Sequence, residues 1–106
     1  MEKYKLSDFK KGWFVWDFDP VIMRTGDFEV SIKHYEANNQ ELPHYHALAT
    51  EITAITSWRF IMNGENLGKD DIIVLAPGEI AHFQCLEDGT TVVVKSPSIP
   101  EDKYLV

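Results

Sequence analysis

The chain has 106 residues, of which 44% are hydrophobic and 12% aromatic, and this predicts one folded domain over residues 1–106 with an apolar core. A formal net charge of -7 argues against nucleic acid and against an anionic membrane surface as partners. The single cysteine, Cys85, cannot form an internal disulfide, and no apolar run has the length of a membrane span or a signal peptide. We therefore expect a soluble cytoplasmic protein.

The first 27 residues predict an N-terminal arm or strand ahead of a β-rich core that covers roughly residues 28–95. Residues 1–11 are polar and basic and favour an arm or a short helical turn. Residues 13–18 are densely aromatic, and Asp19-Pro20 after them is a turn signal. We expect the aromatic stretch to be a core strand, with a lid or a subunit contact as the alternatives.

The rest of the chain reads as short strands separated by turns. Residues 28–35 alternate apolar and polar side chains, as in a half-buried strand, and His34 falls on the apolar face. His34 is therefore either a core histidine or a ligand, and we expect a core histidine. Asn63-Gly64 is a strong signal for a tight hairpin. The other strand-like segments are residues 51–57, 59–62, 65–67, 71–75, 81–86 and 90–95. Strands of this length and spacing predict an all-β sandwich or barrel.

Two histidines one residue apart form the main candidate for a functional site. On an extended chain His44 and His46 point to the same side, because side-chain direction repeats every second residue. Glu51 opens the next strand and can add a carboxylate at the same point. Imidazole and carboxylate ligands together suit first-row metals such as Fe, Mn, Ni, Co and Zn. The alternative is a pair of surface loop histidines beside a solvated glutamate.

This pattern resembles the first motif of the cupin superfamily, in which a Gly is followed by His-x-His, a Glu three or four residues on, and a second Gly. His44, His46 and Glu51 match at the allowed spacing, whereas Asn38 and Trp58 stand where the family has glycine. Asn tolerates the left-handed backbone, so the first departure is mild. Trp58 implies a different turn and an aromatic ring near the mouth of a barrel.

The second cupin motif, Gly-Asp followed by Pro-x-Gly-x-x-His, is matched less well. Asp71 and Gly78 fit, but the position of the last histidine is held by Ala81, and His82 lies one residue later. A shift of one residue turns a strand side chain to the opposite face. His82 can be a third histidine ligand only if a bulge between Gly78 and His82 absorbs the extra residue. We expect the inward orientation of His82, with Ala81 inward as the alternative.

The resemblance implies a small double-stranded β-helix, a jelly-roll barrel, with a divalent transition metal inside it. The implied ligands are His44, His46, Glu51 and His82, and the implied cavity-lining residues are His34, Trp58 and Gln84. Pairing through edge strands is common among cupins and implies a homodimer, with residues 13–18 as the candidate contact. Three functions remain open: a metal-dependent enzyme acting on a sugar derivative or organic acid, a small-molecule sensor or binding module, and a metal-free structural or partner-binding barrel.

Overall fold

A computed structural model describes residues 1–57 and 59–106 of the chain. Apart from two short 3₁₀ turns at Leu6–Asp8 and Lys10–Gly12, the regular structure in these ranges is extended. The strands are β1 (Trp13–Trp16), β2 (Met23–Arg24), β3 (Glu29–Tyr35), β4 (Gln40–Tyr45), β5 (Thr50–Ser57), β6 (Phe60–Met62), β7 (Glu65–Leu67), β8 (Ile72–Leu75), β9 (Ala81–Cys85), β10 (Gly89–Ser96) and β11 (Tyr104–Leu105). The all-β prediction is confirmed. Within the described ranges, no helix has the length and apolar character needed to cross a membrane.

The described strands pair into two sheets. One has the order β2-β1-β3-β10-β5-β8 and the other has the order β11-β4-β9-β6-β7. The predicted hairpin joins β6 to β7, and Asn63 and Gly64 both have positive φ, at 51° and 79°. Because consecutive strands alternate between the two sheets over much of the chain, residues far apart in sequence face each other across the interior.

The apolar core lies between the sheets and forms one wall of an internal cavity. Phe60 is fully buried, and its ring stacks on Phe83 with 4.9 Å between the ring centroids. Tyr35 packs edge-on against Phe60 at 5.9 Å. Cys85 is also fully buried in this cluster, as a small hydrophobic side chain. Phe83 and Tyr35 line the cavity as well, so the core fixes the position of the cavity wall.

Strand β3 of the six-stranded sheet has polar side chains on its inner face and apolar side chains on its outer face. On β3, Ser31 is completely buried and Lys33 lines the cavity, whereas His34 is exposed and lies 2.9 Å from the Thr90 hydroxyl through Nδ1. The expectation that His34 lines the cavity is therefore wrong. Alternation predicts which residues share a face of a strand, but it does not say which face points inward.

The aromatic stretch contributes a core strand, as the first of its three interpretations predicted. Trp13 is 7% exposed and lines the cavity. The register of β1 against β3 shifts between Trp13 and Val15, so that Trp13 pairs with Ser31 on the inside and Val15 pairs with Val30 on the outside. Because Trp13 is buried within the chain's own barrel, its side chain is not a surface for a second subunit.

Candidate functional site

The His-x-His stretch opens into an internal cavity of about 140 Å³. His44 and His46 both line it and are 3% and 7% exposed, with 5.4 Å between their ring centroids. Tyr45 between them points away and stacks on Tyr104 at 5.3 Å. Glu51 lines the same cavity from β5 in the opposite sheet. The structure therefore brings three of the four residues predicted as metal ligands to one place.

Hydrogen bonds to the main chain determine which ring nitrogen of each histidine faces the cavity. Nδ1 of His44 lies 2.8 Å from the carbonyl oxygen of Leu42, and Nδ1 of His46 lies 2.6 Å from the carbonyl oxygen of Asp102. A carbonyl oxygen can only accept, so each Nδ1 carries a proton and donates it. In the neutral form of each ring, Nε2 is then left with a free lone pair.

Each Nε2 faces a carboxylate. His46 Nε2 lies 3.5 Å from Glu51 Oε1, and His44 Nε2 lies 3.9 Å from Glu41 Oε2. Burial by itself raises the pKa of Glu51, but the hydrogen bond and charge of His46 and the charge of Lys95 outweigh it and lower the pKa. Glu51 is thus an ionised acceptor opposite an imidazole lone pair. Two acceptors in this arrangement require a cation between them, either a proton on the imidazole or a metal ion.

The donor atoms suit a metal ion, although they do not yet converge on one point. Among residues 1–57 and 59–106, no group of three or more His, Cys, Asp or Glu side chains is arranged to hold an ion as it stands. The imidazoles nevertheless have the outer hydrogen bonds of metal-ligating histidines, in which the second ring N–H is donated to a carbonyl or carboxylate. The fit therefore rests on ligand type and tautomer, and binding would require the side chains to adjust.

The structure places His82 on the outer face, and our expectation of an inward His82 is corrected. Its Nε2 lies 3.4 Å from Gln40 Oε1 and its backbone N–H donates to Asn63 Oδ1 at 2.8 Å. Ala81 is 3% exposed, lines the cavity and is the register partner of His44.

The physical reason is that the bulge lies in β4 and not in β9. Glu41 pairs with Phe83 but His44 pairs with Ala81, so β4 contains one extra residue between these pairs. Pro43, which lacks an N–H to donate, lies in this interval and marks the bulge in the sequence. The bulge also turns both Glu41 and His44 inward, although they are three residues apart.

Two further predictions of cavity-lining residues have different outcomes. Gln84 alternates with Phe83 and is absent from the residues that line the cavity, so that prediction is wrong. Trp58 lies outside the described residues.

Asp102, in the C-terminal segment, is a site residue that the sequence reasoning missed. Its carboxylate accepts the backbone N–H groups of Ala47, Leu48 and Ala49 at 3.0, 3.1 and 2.9 Å, while its carbonyl oxygen accepts from His46. It therefore holds both the loop after the His-x-His stretch and the orientation of the His46 ring. No local sequence signal indicates this role, because the contacts join residues more than fifty positions apart.

Lysines on the inside of the six-stranded sheet were also missed. Lys33 and Lys95 line the cavity, and their ammonium groups lie 5.0 and 4.8 Å from the centroid of the Trp13 ring. Lys95 forms an ion pair with Glu29 at 3.2 Å. The sequence could have indicated Lys33 and Lys95 only if the inward faces of β3 and β10 had been known.

Comparison with solved structures gives the same fold. An uncharacterized conserved protein with a double-stranded β-helix domain from Klebsiella pneumoniae subsp. pneumoniae MGH 78578 has a TM-score of 0.71 and 21% identity over 80% of this chain and 75% of its own. KdgF from Halomonas sp. has a TM-score of 0.66 and 21% identity over 73% and 74%.

A third similar structure is a sugar phosphate isomerase from a cupin superfamily, from Silicibacter pomeroyi DSS-3. It has a TM-score of 0.64 and 20% identity, and the match covers 76% of this chain and 57% of the isomerase. No protein-family model and no curated protein matches the sequence. At these sequence identities, the likeness shows a shared fold and nothing further. The two-sheet topology agrees with it, and we conclude that the chain has a double-stranded β-helix fold, similar to that of these structures.

Proposed function

We propose that this chain binds a divalent transition metal in the cavity and uses it to bind, or to act on, a small polar metabolite such as a sugar derivative or organic acid. The observation that carries the proposal is the pairing of His46 Nε2 with the ionised Glu51 across 3.5 Å. Both Nδ1 atoms donate to carbonyl oxygens, so the lone pairs that remain face the carboxylates and need a cation.

Each residue has a separate part in this proposal. His44 and His46 would hold the ion through Nε2, and Glu51 would supply one negative charge. Tyr35 donates its hydroxyl hydrogen to Glu41 Oε1 at 3.1 Å and thereby orients that carboxylate beside His44. A bound divalent ion would supply Lewis-acid polarisation of an oxygen atom of the ligand. The apolar wall formed by Phe83 and Met62 limits access of water from one side.

The size and lining of the cavity support a small polar ligand. An engineered cavity of about 150 Å³ in another protein holds one benzene-sized molecule, so the 140 Å³ of this partly open cavity accommodates about six non-hydrogen atoms. Lysine, glutamate, histidine and tyrosine side chains line it.

Elemental analysis of untagged, anaerobically purified protein tests the proposal. We expect about one Fe, Mn, Ni, Co or Zn ion per chain, or stoichiometric uptake of one of them by the metal-free protein. Protein that neither contains nor takes up any of these ions would refute the metal site. Thermal stabilisation by a metabolite without turnover would assign the cavity to a binding module, because a ligand that binds only the folded state stabilises it.

Substitutions at Ala81 and His82 test how the site is completed. Ala81→His introduces an imidazole opposite His44, so metal affinity should rise by tenfold or more, as a further ligand does for such ions. His82→Ala removes an exposed side chain and should change affinity by less than about twofold. Isothermal titration with Mn²⁺ or Zn²⁺ measures both. A sharp loss of affinity in His82→Ala would show that His82 turns inward when metal binds.

A further inference from the structure

Four lysine side chains line the cavity, and the proposed metal site does not use their positive charge. Lys11, Lys33, Lys95 and Lys103 all line the cavity, although the chain has ten lysines and arginines against 17 aspartates and glutamates. Such a concentration of basic residues in an acidic protein marks a place where negative charge is stabilised.

Lys33 and Lys95 are the two half-buried members of this group, and of these two Lys33 is the one without a counterion in the described ranges, whereas Lys11 and Lys103 are exposed. Among the described residues, the Lys33 ammonium group has no carboxylate within ion-pair distance, whereas Lys95 is paired with Glu29 at 3.2 Å. Lys33 is half-buried, and burial is the main cause that lowers its pKa; the charges of Glu41 and Glu51 oppose this, and those of Lys95 and Lys103 act in the same direction as burial. Both ammonium groups lie within about 5 Å of one indole ring, that of Trp13. Two neighbouring cations with one counterion leave room for an anion.

We propose that Lys33, together with Lys95, binds the carboxylate of a small organic acid in this cavity. The proposal rests on the proposed function and selects the organic acid from its two ligand classes, sugar derivatives and organic acids. Glu41 and Glu51 line the same cavity, but four lysines against two carboxylates leave excess positive charge there even without a metal ion, and a bound divalent cation would add to it. A phosphate group has five non-hydrogen atoms and would fill most of a cavity of this size by itself, so a carboxylate fits better.

The test compares lactate, a six-atom hydroxy acid, with lactamide, its neutral isostere, in calorimetric titrations of metal-free and Mn²⁺-loaded protein. We expect lactate to bind both forms and lactamide to bind about tenfold more weakly, because a charged hydrogen bond contributes about this much. Lys33→Met should weaken lactate binding about tenfold, and Lys33→Arg should keep it within threefold. The control Lys69→Met removes a lysine outside the cavity and should have no effect.

Three results would overturn the carboxylate subsite: equal binding of lactate and lactamide by the wild type, unchanged lactate binding in Lys33→Met, or inorganic phosphate binding more tightly than lactate. The comparison of lactate with lactamide uses wild-type protein, so it remains valid if a variant misfolds. Failure of the proposed metal site would appear separately, as absence of Mn²⁺ binding, while the metal-free titration still reports on Lys33.

An independent observation concerns the outer face of the same sheet, where apolar side chains form two continuous rows. The register pairs one row across all six strands and a second row across four of them. We call the set the outer apolar face: Met23, Val15, Val30, Val94, Ile52 and Val74 in the first row, and Ile32, Val92, Ala54 and Ile72 in the second.

The outer apolar face has the form of an interaction surface. Ile72 and Val74 are 66% and 59% exposed, and Met23 at the opposite edge is 56% exposed. His34, Thr90 and Thr56 form a polar border along one side, joined by hydrogen bonds of 2.9 and 2.8 Å. Exposed sheet faces in antiparallel proteins are normally polar, so an apolar patch with a polar border indicates that another surface covers it.

We infer that the outer apolar face joins two copies of this chain in a homodimer. A two-fold interface must be complementary to itself, and an uncharged patch meets this condition in a chain whose net charge is -7. With strands about 4.8 Å apart and rows about 6.6 Å apart, the ten side chains cover about 300 Å². The flanking rows extend this patch towards the roughly 800 Å² per partner of a stable interface. Of residues 13–18, the contact expected from the sequence, this face includes Val15 and excludes the buried Trp13.

Sedimentation equilibrium over a range of concentrations tests the dimer. We expect the wild type to be dimeric at micromolar concentration, and Ile72→Lys/Val74→Lys to raise the dissociation constant at least a hundredfold, because it places charge in the contact. Both positions are exposed in the single chain, so the fold should survive. The control Leu42→Lys, equally exposed at 66% but in the other sheet, should remain dimeric. A monomeric wild type, or a double variant that stays dimeric, would rule out this interface.

Discussion

Replacing either His44 or His46 with alanine should abolish stoichiometric metal binding, with a loss of affinity of more than about 100-fold. Removal of the hydrogen-bond partner of a metal ligand already costs about 10- to 100-fold, and removal of the ligand itself costs more. Both rings are almost fully buried with Nε2 facing a carboxylate, so each substitution also leaves Glu51 or Glu41 without its partner. Metal content and titration calorimetry measure the loss.

His34→Ala is the matched control for this experiment. His34 is also an imidazole on a strand, but it is exposed on the opposite side of β3 and contacts Thr90. It should leave metal affinity unchanged, and circular dichroism should show that all three variants keep the β fold. Unchanged metal content in both the His44→Ala and the His46→Ala proteins would exclude the proposed site.

Asp102→Ala should lower the free energy of unfolding by about 2–4 kcal/mol, since hydrogen bonds to a charged group contribute about 1.5–3 kcal/mol each and are not additive. The buried carboxylate accepts from Ala47, Leu48 and Ala49, which would lose their partner. This is a large fraction of the roughly 5–15 kcal/mol by which a domain is stable. Urea denaturation measures the change.

The same carboxylate should make stability depend on pH. Burial alone raises the pKa of Asp102, but the N–H groups of Ala49, Leu48 and Ala47 outweigh it and hold the pKa below its usual value of 3.8. A lowered pKa in the folded state gives stability that is present above pH 3.8 and is lost as the pH falls through the folded-state pKa. When the pH is lowered from 5 to 3, the free energy of unfolding should therefore decrease less for Asp102→Asn than for the wild type.

Glu79→Gln removes an exposed carboxylate and serves as the charge control. The free energy of unfolding of Glu79→Gln should depend on pH in the same way as that of the wild type. Equal acid sensitivity of the wild type and Asp102→Asn would show that the Asp102 carboxylate does not stabilise the folded chain.

The sequence alone determined the strand content, the hairpin at Asn63-Gly64 and the shared direction of His44 and His46. These features depend on local rules: the two-residue period of a strand and the backbone freedom of Asn and Gly. Glu51 could be added because it begins the next strand, at a spacing that the cupin motif allows. Local rules were sufficient for the strands, the hairpin and the histidine pair, whereas Glu51 also needed the resemblance to the cupin motif.

Tertiary structure decided which face of each strand points inward. On β3 the usual expectation of apolar inside and polar outside is reversed, because Ser31 and Lys33 face the cavity and Val30 and Ile32 face outward. The sequence pattern is the same for both arrangements, which is why His34 was assigned to the wrong side.

Long-range pairing decided the rest of the site. The one-residue bulge in β4 appears only when its register against β9 is known, and that register turns Ala81 inward and His82 outward. Asp102 reaches His46 and the following loop only after the C-terminal segment has packed against β4. These contacts join segments that are far apart in the sequence. The residues around each contact therefore do not indicate it.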